Sequence, residues 1–138
     1  MSEKNSKTVV ITGATGGIGT QICQWLLKKG YTVLAACRSK EKWNKFLDKL
    51  DNACVSAKNL KMVEVNLEDF DSIDSFVEQC KELSGNKIDI LINNAGMIAP
   101  AFKVTKDGYE SSIQVNYMAP VRITTGLTPC FSADSLVI

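Results

Sequence analysis

The 138-residue chain is long enough for one domain with a hydrophobic core, and its 45% hydrophobic and 22% charged residues are typical of a globular protein. A formal net charge of +1 gives no global electrostatic reason to expect nucleic acid as a partner. The complete absence of histidine excludes a Ser-His-Asp triad and a Cys/His metal site.

The cysteine pattern and the amino terminus bear on the cellular compartment. The number of cysteines is odd and no two have a Cys-x-x-Cys spacing, so we expect neither a disulfide framework nor a bound metal. The amino terminus is polar, and no apolar run approaches the roughly 20 residues that span a membrane. A reducing cytoplasm fits these features best. The cysteines are Cys23, Cys37, Cys54, Cys80 and Cys130.

Charge is distributed unevenly along the chain. Residues 1–50 hold nine lysine and arginine side chains against three acidic ones, whereas residues 51–138 hold seven against twelve. Solvated helix faces account for such a pattern. An alternative is that the basic half helps to hold a polyanionic cofactor.

The first half of the chain alternates short β-branched runs with amphipathic patterns. An apolar helical stripe follows the first run, and Gly30 is placed to end that helix. Ser39 is placed to cap a second helix, which runs to Leu50 with Trp43 and Phe46 facing inward. The residues of the first stripe are Ile18, Ile22, Trp25, Leu26 and Lys29.

The second half continues this alternation. Residues 70–83 predict a third helix with acidic residues at its positive end. Helical character begins again near Glu110, is interrupted near Pro120 and continues toward Thr128. Residues 133–138 read as a turn followed by the opening of a fifth strand, so we expect the chain to be cut within that strand.

These patterns predict a repeated β-α-β organisation. Near-continuous apolar strands indicate a parallel sheet covered on both faces, with right-handed crossovers. The fold class is therefore α/β, a Rossmann-type doubly wound sheet that is incomplete at its carboxyl end. We expect residues 1–138 to form one such domain. The predicted strands are 8–12, 31–37, 60–65 and 88–92, with the start of a fifth.

A glycine-rich turn between the first strand and the first helix carries the strongest functional signal. Four of the seven residues from Gly13 to Gly19 are glycine. A dinucleotide pyrophosphate needs such a tight turn, a backbone without Cβ atoms and a free helix N-terminus. A Walker A loop is excluded because no Gly-Lys-Ser/Thr follows. The segment reads Thr12-Gly13-Ala14-Thr15-Gly16-Gly17-Ile18-Gly19.

Arg38, at the end of the second predicted strand, bears on the choice of cofactor. A dinucleotide fold usually presents an acid there to a ribose 2′-hydroxyl, or an arginine when a 2′-phosphate must fit. A guanidinium binds phosphate bidentately. Arg38 therefore favours NADP(H) over NAD(H), and a solvated arginine at a strand end is the alternative.

Three motifs give the chain a family resemblance. The glycine turn, Asn93-Asn94-Ala95-Gly96 and Val115-Asn116 resemble, in order and spacing, the short-chain dehydrogenase/reductase family. The turn also satisfies the TGxxGxxG pattern of the extended, epimerase-like branch, whereas Asn-Asn-Ala-Gly favours the shorter branch. Segments 36–39 and 89–97 look like the retinol dehydrogenase and protochlorophyllide reductase relatives within the shorter branch.

The resemblance implies a set of cofactor-binding residues. The glycine turn would line the pyrophosphate and the adenosine ribose, Arg38 would hold the 2′-phosphate, and Asn66-Leu67 would contact adenine in place of the family's common Asp-Leu. The Asn94 segment would run beside the nicotinamide ribose. The complete set is Gly13, Thr15, Gly17, Ile18, Gly19, Arg38, Asn66, Leu67, Asn94, Ala95 and Gly96.

One catalytic residue is implied by the same resemblance. Asn116 would match the asparagine of the family's proton relay, and a hydrogen bond at a helix kink is the alternative role. For Asn94, the alternative is an amide that braces the backbone of the turn.

The catalytic Tyr-x-x-x-Lys of the family has no counterpart in the sequence. The residues four positions after Tyr31, Tyr109 and Tyr117 are alanine, isoleucine and valine. Ser132 and Ser135 precede the fifth predicted strand, whereas the family's serine follows it. General acid–base catalysis is typically worth about 10²–10⁴-fold. We therefore expect this chain alone to be catalytically incomplete.

Three functional hypotheses follow. The first is the cofactor-binding portion of an NADP(H)-dependent oxidoreductase that acts on a small alcohol or ketone. The second is a non-catalytic NADP(H)-binding module or pseudoenzyme, and the third is a truncated product without function. Family members commonly associate through the helix that begins near Met118. By this resemblance, a homo-oligomer is an alternative to a monomer.

Overall fold

A computed structural model describes residues 6–138 and contains one parallel sheet of five strands. The strands lie in the order β3-β2-β1-β4-β5, and every neighbouring pair is parallel. Their bounds are β1 Thr8–Ile11, β2 Thr32–Cys37, β3 Leu60–Glu64, β4 Ile90–Ile92 and β5 Leu136–Val137. The predicted Rossmann-type sheet, with four strands and the start of a fifth, is confirmed.

Helices connect these strands on both faces of the sheet. After β4 a long loop leads to a short helix, one π-helical turn and a further helix. The helices are α1 Gly17–Lys28, α2 Lys40–Asn52, α3 Phe70–Ser84, α4 Ser111–Ile113 and α5 Ala119–Leu127, with the π turn at Gln114–Met118 and a 3₁₀ turn at Thr128–Cys130.

Alternating strand residues feed two separate cores. Val9 and Ile11 of β1 pack with α1 and α2 on one face, and Val10 packs with α3 and α5 on the other. The largest buried side chains of the two cores include Phe46 and Phe76. Both faces are covered, which explains why the strands read as continuous apolar runs.

Local capping confirms the predicted helix ends. Gly30 has φ of 79° after α1, and the Tyr31 amide donates back to the Leu26 carbonyl at 3.1 Å. Ser39 Oγ accepts from the Lys42 amide at the start of α2, and Asp69 caps α3.

The predicted inner face of α1 is wrong in part. Ile18 is 73% exposed and Trp25 is 56% exposed, although both belong to the predicted apolar stripe. The buried residues of α1 are Gly19, Thr20, Cys23, Leu26 and Leu27. Small side chains face the sheet here because the helix begins close to the glycine turn, and Ile18 is left beside an open groove.

Candidate functional site

The glycine turn packs against itself and against the loop after β4 through two glycines that tolerate no side chain. Gly13 has φ of 64°, and a Cβ on it would lie 2.8 Å from Asn94 Nδ2. A Cβ on Gly19 would lie 2.0 Å from the Gly13 carbonyl oxygen. A Cβ on Gly17, by contrast, would meet nothing within 4 Å. Packing therefore accounts for Gly13 and Gly19, and the space beside Gly17 is open.

The amino terminus of α1 carries unused hydrogen-bond donors. Its N-cap, Gly16, has no side chain, and no acidic residue lies in the first turn. The caps of α2 and α3, Ser39 and Asp69, both accept hydrogen bonds from first-turn amides. The first turn of α1 thus presents amides and a positive dipole end that an anion can satisfy.

Two adjoining cavities meet at this turn, along the carboxyl ends of the strands. The larger, of about 740 Å³, runs between the turn and α2. The smaller, of about 210 Å³, runs from the turn toward Arg38 and the end of β3. Because β2 and β4 lie on opposite sides of β1, this is the point where the strand order reverses and α/β folds bind ligands.

All eleven residues predicted to bind cofactor line one or both cavities. Arg38, Asn66 and Leu67 border the smaller one, whereas Gly17, Ile18, Gly19 and Asn94 border the larger one. Gly13, Thr15, Ala95 and Gly96 border both. The fold therefore brings the predicted residues together in one continuous groove.

Three lysines of α2 line the same groove and were not among the predicted site residues. Lys42 borders both cavities, and Lys45 and Lys49 border the larger one. The excess of positive charge in residues 1–50 was a signal for them, because it includes this helix. The three lysines sit at positions i, i+3 and i+7, which share one helix face.

The predicted asparagines hold the walls of the groove. Asn94 Nδ2 donates to the carbonyl oxygens of Thr12 and Gly13 at 3.2 and 3.1 Å. The Ala95 amide donates to Thr12 Oγ1 at 3.0 Å. Asn94 thus braces the glycine turn, as its alternative role predicts, at a position that also borders the cavity.

Asn116 lies in the π-helical turn and grips the loop after β4. Its Oδ1 accepts from the Met97 amide at 2.8 Å, and its Nδ2 donates to the Met97 carbonyl at 2.6 Å. Asn116 does not border either cavity, whereas Val115 and Met97 border the smaller one. The π turn ends just before Pro120, near which an interruption was predicted, and Pro120 itself lies in the first turn of α5. Such π turns are frequent at functional sites.

At the end of the groove nearest β3, Asn66 and Arg38 have protein partners. Asn66 Oδ1 accepts from the Glu68 amide at 3.1 Å. The Arg38 guanidinium lies 3.6 Å from Glu68 Oε2, and its side chain is 60% exposed. Glu68 also accepts from Ser111 and Lys103, and these hydrogen bonds, with the nearby cations, lower the pKa of Glu68.

The family model described as short chain dehydrogenase matches residues 7–136. The chain belongs to the short-chain dehydrogenase family. It is 37% identical over 127 residues to an uncharacterized oxidoreductase of Schizosaccharomyces pombe, which covers 89% of this chain and 36% of that protein. It is 31% identical over 129 residues to retinol dehydrogenase 13 of Mus musculus, covering 94% of this chain and 38% of that one.

Among solved structures, this short-chain dehydrogenase chain is similar to an NADPH-bound carbonyl reductase from chicken fatty liver. The TM-score is 0.70 at 28% identity, over 91% of this chain and 51% of that one. The chain spans about a third of the length of the curated relatives it matches.

The groove fits the nicotinamide dinucleotide that short-chain dehydrogenases bind. The uncapped amides of α1, the open space beside Gly17 and the lysine face of α2 suit a pyrophosphate. No group of three or more histidine, cysteine or acidic side chains within residues 6–138 is arranged to hold a metal ion. In the same part of the chain, no helix is both long and apolar enough to cross a membrane.

Proposed function

We propose that this chain is the cofactor-binding part of an NADP(H)-dependent short-chain oxidoreductase that interconverts a small alcohol and the corresponding carbonyl compound. The observation that carries the cofactor preference is that two cationic side chains, Arg38 and Lys42, border the smaller cavity. The retinol dehydrogenase 13 relative and the NADPH-bound carbonyl reductase support the class. We place this activity in the cytoplasm and assign residues 1–138 to a single dinucleotide-binding domain.

The site residues have distinct roles in this proposal. The bound cofactor supplies or accepts a hydride. The first turn of α1 binds the pyrophosphate, Arg38 binds the 2′-phosphate, and Asn66 and Leu67 border the adenine. Ala95 and Gly96 flank the nicotinamide ribose, and Asn94 fixes their loop against the turn. Asn116 belongs to the proton relay and positions Met97 through its two hydrogen bonds.

The chain alone is proposed to bind cofactor without turning substrate over, because no tyrosine in it is followed by lysine four residues later. The same fact favours a second candidate, a non-catalytic NADP(H)-binding module. Reading the coding sequence beyond codon 138 separates the two. A serine and a Tyr-x-x-x-Lys downstream support the oxidoreductase, and a stop codon with saturable NADPH binding supports the module.

Replacing Arg38 tests the cofactor assignment. Arg38→Asp removes a bidentate phosphate ligand and adds a repelling charge, so NADPH affinity falls at least tenfold (~1.4 kcal/mol) more than NADH affinity. Isothermal calorimetry with both cofactors measures the two losses.

Lys58→Asp is the matched control, because Lys58 is an exposed lysine in the loop that leads into β3. It carries the same change of two charges at the opposite end of the strand from the groove. Equal losses of NADPH and NADH affinity in Arg38→Asp, or the same selective loss in Lys58→Asp, would contradict the assignment.

A further inference from the structure

Glu68 places a fixed negative charge at the end of the groove where Arg38 lies. It borders the smaller cavity together with Arg38 and Lys42, and its side chain is only 14% exposed. Hydrogen bonds from Ser111 and Lys103 lower its pKa, so it is ionised at neutral pH. A 2′-phosphate that approaches Arg38 therefore also approaches a carboxylate.

The two oxygens of Glu68 have different partners. Oε1 accepts from Ser111 Oγ at 2.6 Å and from Lys103 Nζ at 2.9 Å. Oε2 faces Arg38 Nη1 at 3.6 Å, a distance that is too long for a hydrogen bond. The carboxylate is thus held by Ser111 and Lys103, and its pairing with Arg38 is the loosest of the three contacts.

Because of this asymmetry, the Arg38 guanidinium can leave Glu68 for a phosphate at little cost. Glu68 keeps two charge-stabilising donors when the guanidinium turns toward a phosphate, so no buried carboxylate is left unpaired. The exposed Arg38 side chain is free to pivot, because no hydrogen bond from it to another part of residues 6–138 is present. The remaining cost of binding a phosphate is its repulsion from Glu68.

We propose that Glu68 is a specificity-determining residue, whose carboxylate competes with the cofactor 2′-phosphate for Arg38 and so limits the preference for NADPH over NADH. This inference rests on the proposed NADP(H) function. It predicts opposite effects for the two residues: removing Arg38 weakens NADPH binding, whereas neutralising Glu68 strengthens it. NADH has an uncharged 2′-hydroxyl at that position, so neutralising Glu68 leaves its affinity unchanged.

The test compares NADPH and NADH affinities by calorimetry in the wild-type chain and in Glu68→Gln. Glutamine keeps an acceptor for Ser111 and removes the charge. NADPH affinity is expected to rise about three- to tenfold, the effect of one neighbouring charge that solvent partly screens, while NADH affinity stays unchanged. Glu68→Met removes the same charge and serves as the second variant where Glu68→Gln does not fold.

Two further variants identify the cause. Glu82→Gln removes one exposed carboxylate from the carboxyl-terminal end of α3, away from the groove, and is expected to change neither affinity. In an Arg38→Met background, Glu68→Gln is expected to change the ratio of NADPH to NADH affinity less than it does in the wild type, because the competition for Arg38 is gone.

The possible results distinguish a failure of the Glu68 inference from a failure of the proposed NADP(H) function. If the wild type prefers NADPH through Arg38 but Glu68→Gln leaves the ratio unchanged, lowers it, or weakens both cofactors equally, Glu68 has only a structural role. If Glu82→Gln raises the ratio as much, the effect is one of net charge. If the wild type shows no preference for NADPH, or if Arg38→Met binds NADPH as tightly as the wild type does, the proposed NADP(H) preference itself is contradicted.

Discussion

At the scale of single residues, the glycines of the turn divide into those that packing requires and one that it does not. Gly19 lies against the Gly13 carbonyl with no room for a Cβ, whereas the position of a Cβ on Gly17 is open. Both glycines belong to the same glycine-rich turn, so the sequence alone could not assign them different tasks. The structure separates a glycine that closes the turn from a glycine that leaves space for a ligand.

Matched alanine substitutions test this division. Gly19→Ala forces a methyl group to within 2.0 Å of a backbone oxygen and is expected to lower the free energy of unfolding by at least about 2 kcal/mol. Gly17→Ala is expected to leave stability unchanged, because nothing obstructs the methyl group and alanine favours a helix. Urea unfolding of both variants measures the difference. Equal destabilisation would contradict the assignment.

At the scale of elements, the predictions that succeeded rest on local chemistry. The strands followed from apolar runs, and the ends of α1 and α2 followed from Gly30 and Ser39, whose effects act within a few residues. The exposure of Trp25 could not be predicted, because it depends on how α1 sits over the sheet rather than on helical spacing.

The π turn and the loop after β4 depend on long-range contacts. Gln114 donates to Asp107 at 2.8 Å, and the same Asp107 oxygen accepts from the Phe70 amide of α3 at 2.9 Å. Met97 is held by Asn116 from 19 residues away. No local pattern encodes these pairings, so the sequence indicated an interruption near Pro120 but not its form.

The packing of α5 against α3 depends on a glycine that sequence reasoning did not single out. A Cβ on Gly126 would lie 2.9 Å from Val77 Cγ1 and 3.2 Å from Cγ2. Valine is stiff at χ1 and cannot easily turn away. Gly126→Ala is therefore expected to cost about 1–3 kcal/mol of stability through overpacking, despite the better helix propensity of alanine.

Combining Gly126→Ala with Val77→Ala tests whether the contact with Val77 causes the loss of stability. Removing the two methyl groups makes room for the new one, so the double variant should be more stable than the sum of the single effects by at least about 0.5 kcal/mol. Chemical denaturation of the four proteins in this cycle measures the coupling. Additive losses would show that Gly126 does not act through Val77.

At the scale of the whole molecule, acidic residues that bind cations or helix amides set the pH dependence of stability. Hydrogen bonds from cationic side chains, a serine hydroxyl or helix amides lower the pKa values of Glu68, Asp69, Asp74 and Glu110. The chain has no histidine, and burial raises the pKa of Cys23 and of Cys80 to about 12. These groups therefore change charge only in acid or in strong base.

Stability is thus expected to be nearly constant between pH 6 and pH 8 and to fall in acid. A carboxyl with a lowered folded pKa stabilises the fold above its unfolded value, near 4.5 for glutamate and 3.8 for aspartate, and this contribution is lost as pH falls through the folded pKa. Urea unfolding from pH 3 to pH 8 measures the profile. A step between pH 6 and pH 7, or constant stability down to pH 3, would contradict it.

The central claim, that the groove between the glycine turn and α2 binds NADP(H), has one most direct test. Titrating the wild-type chain with NADPH in a calorimeter, beside Gly17→Ala as the folded control, measures it. We expect saturable one-to-one binding to the wild type, weaker binding of NADH, and at least a tenfold loss in Gly17→Ala, since its methyl group fills the space beside the turn. Absence of NADPH binding by the folded wild type, or undiminished binding by Gly17→Ala, would contradict the account.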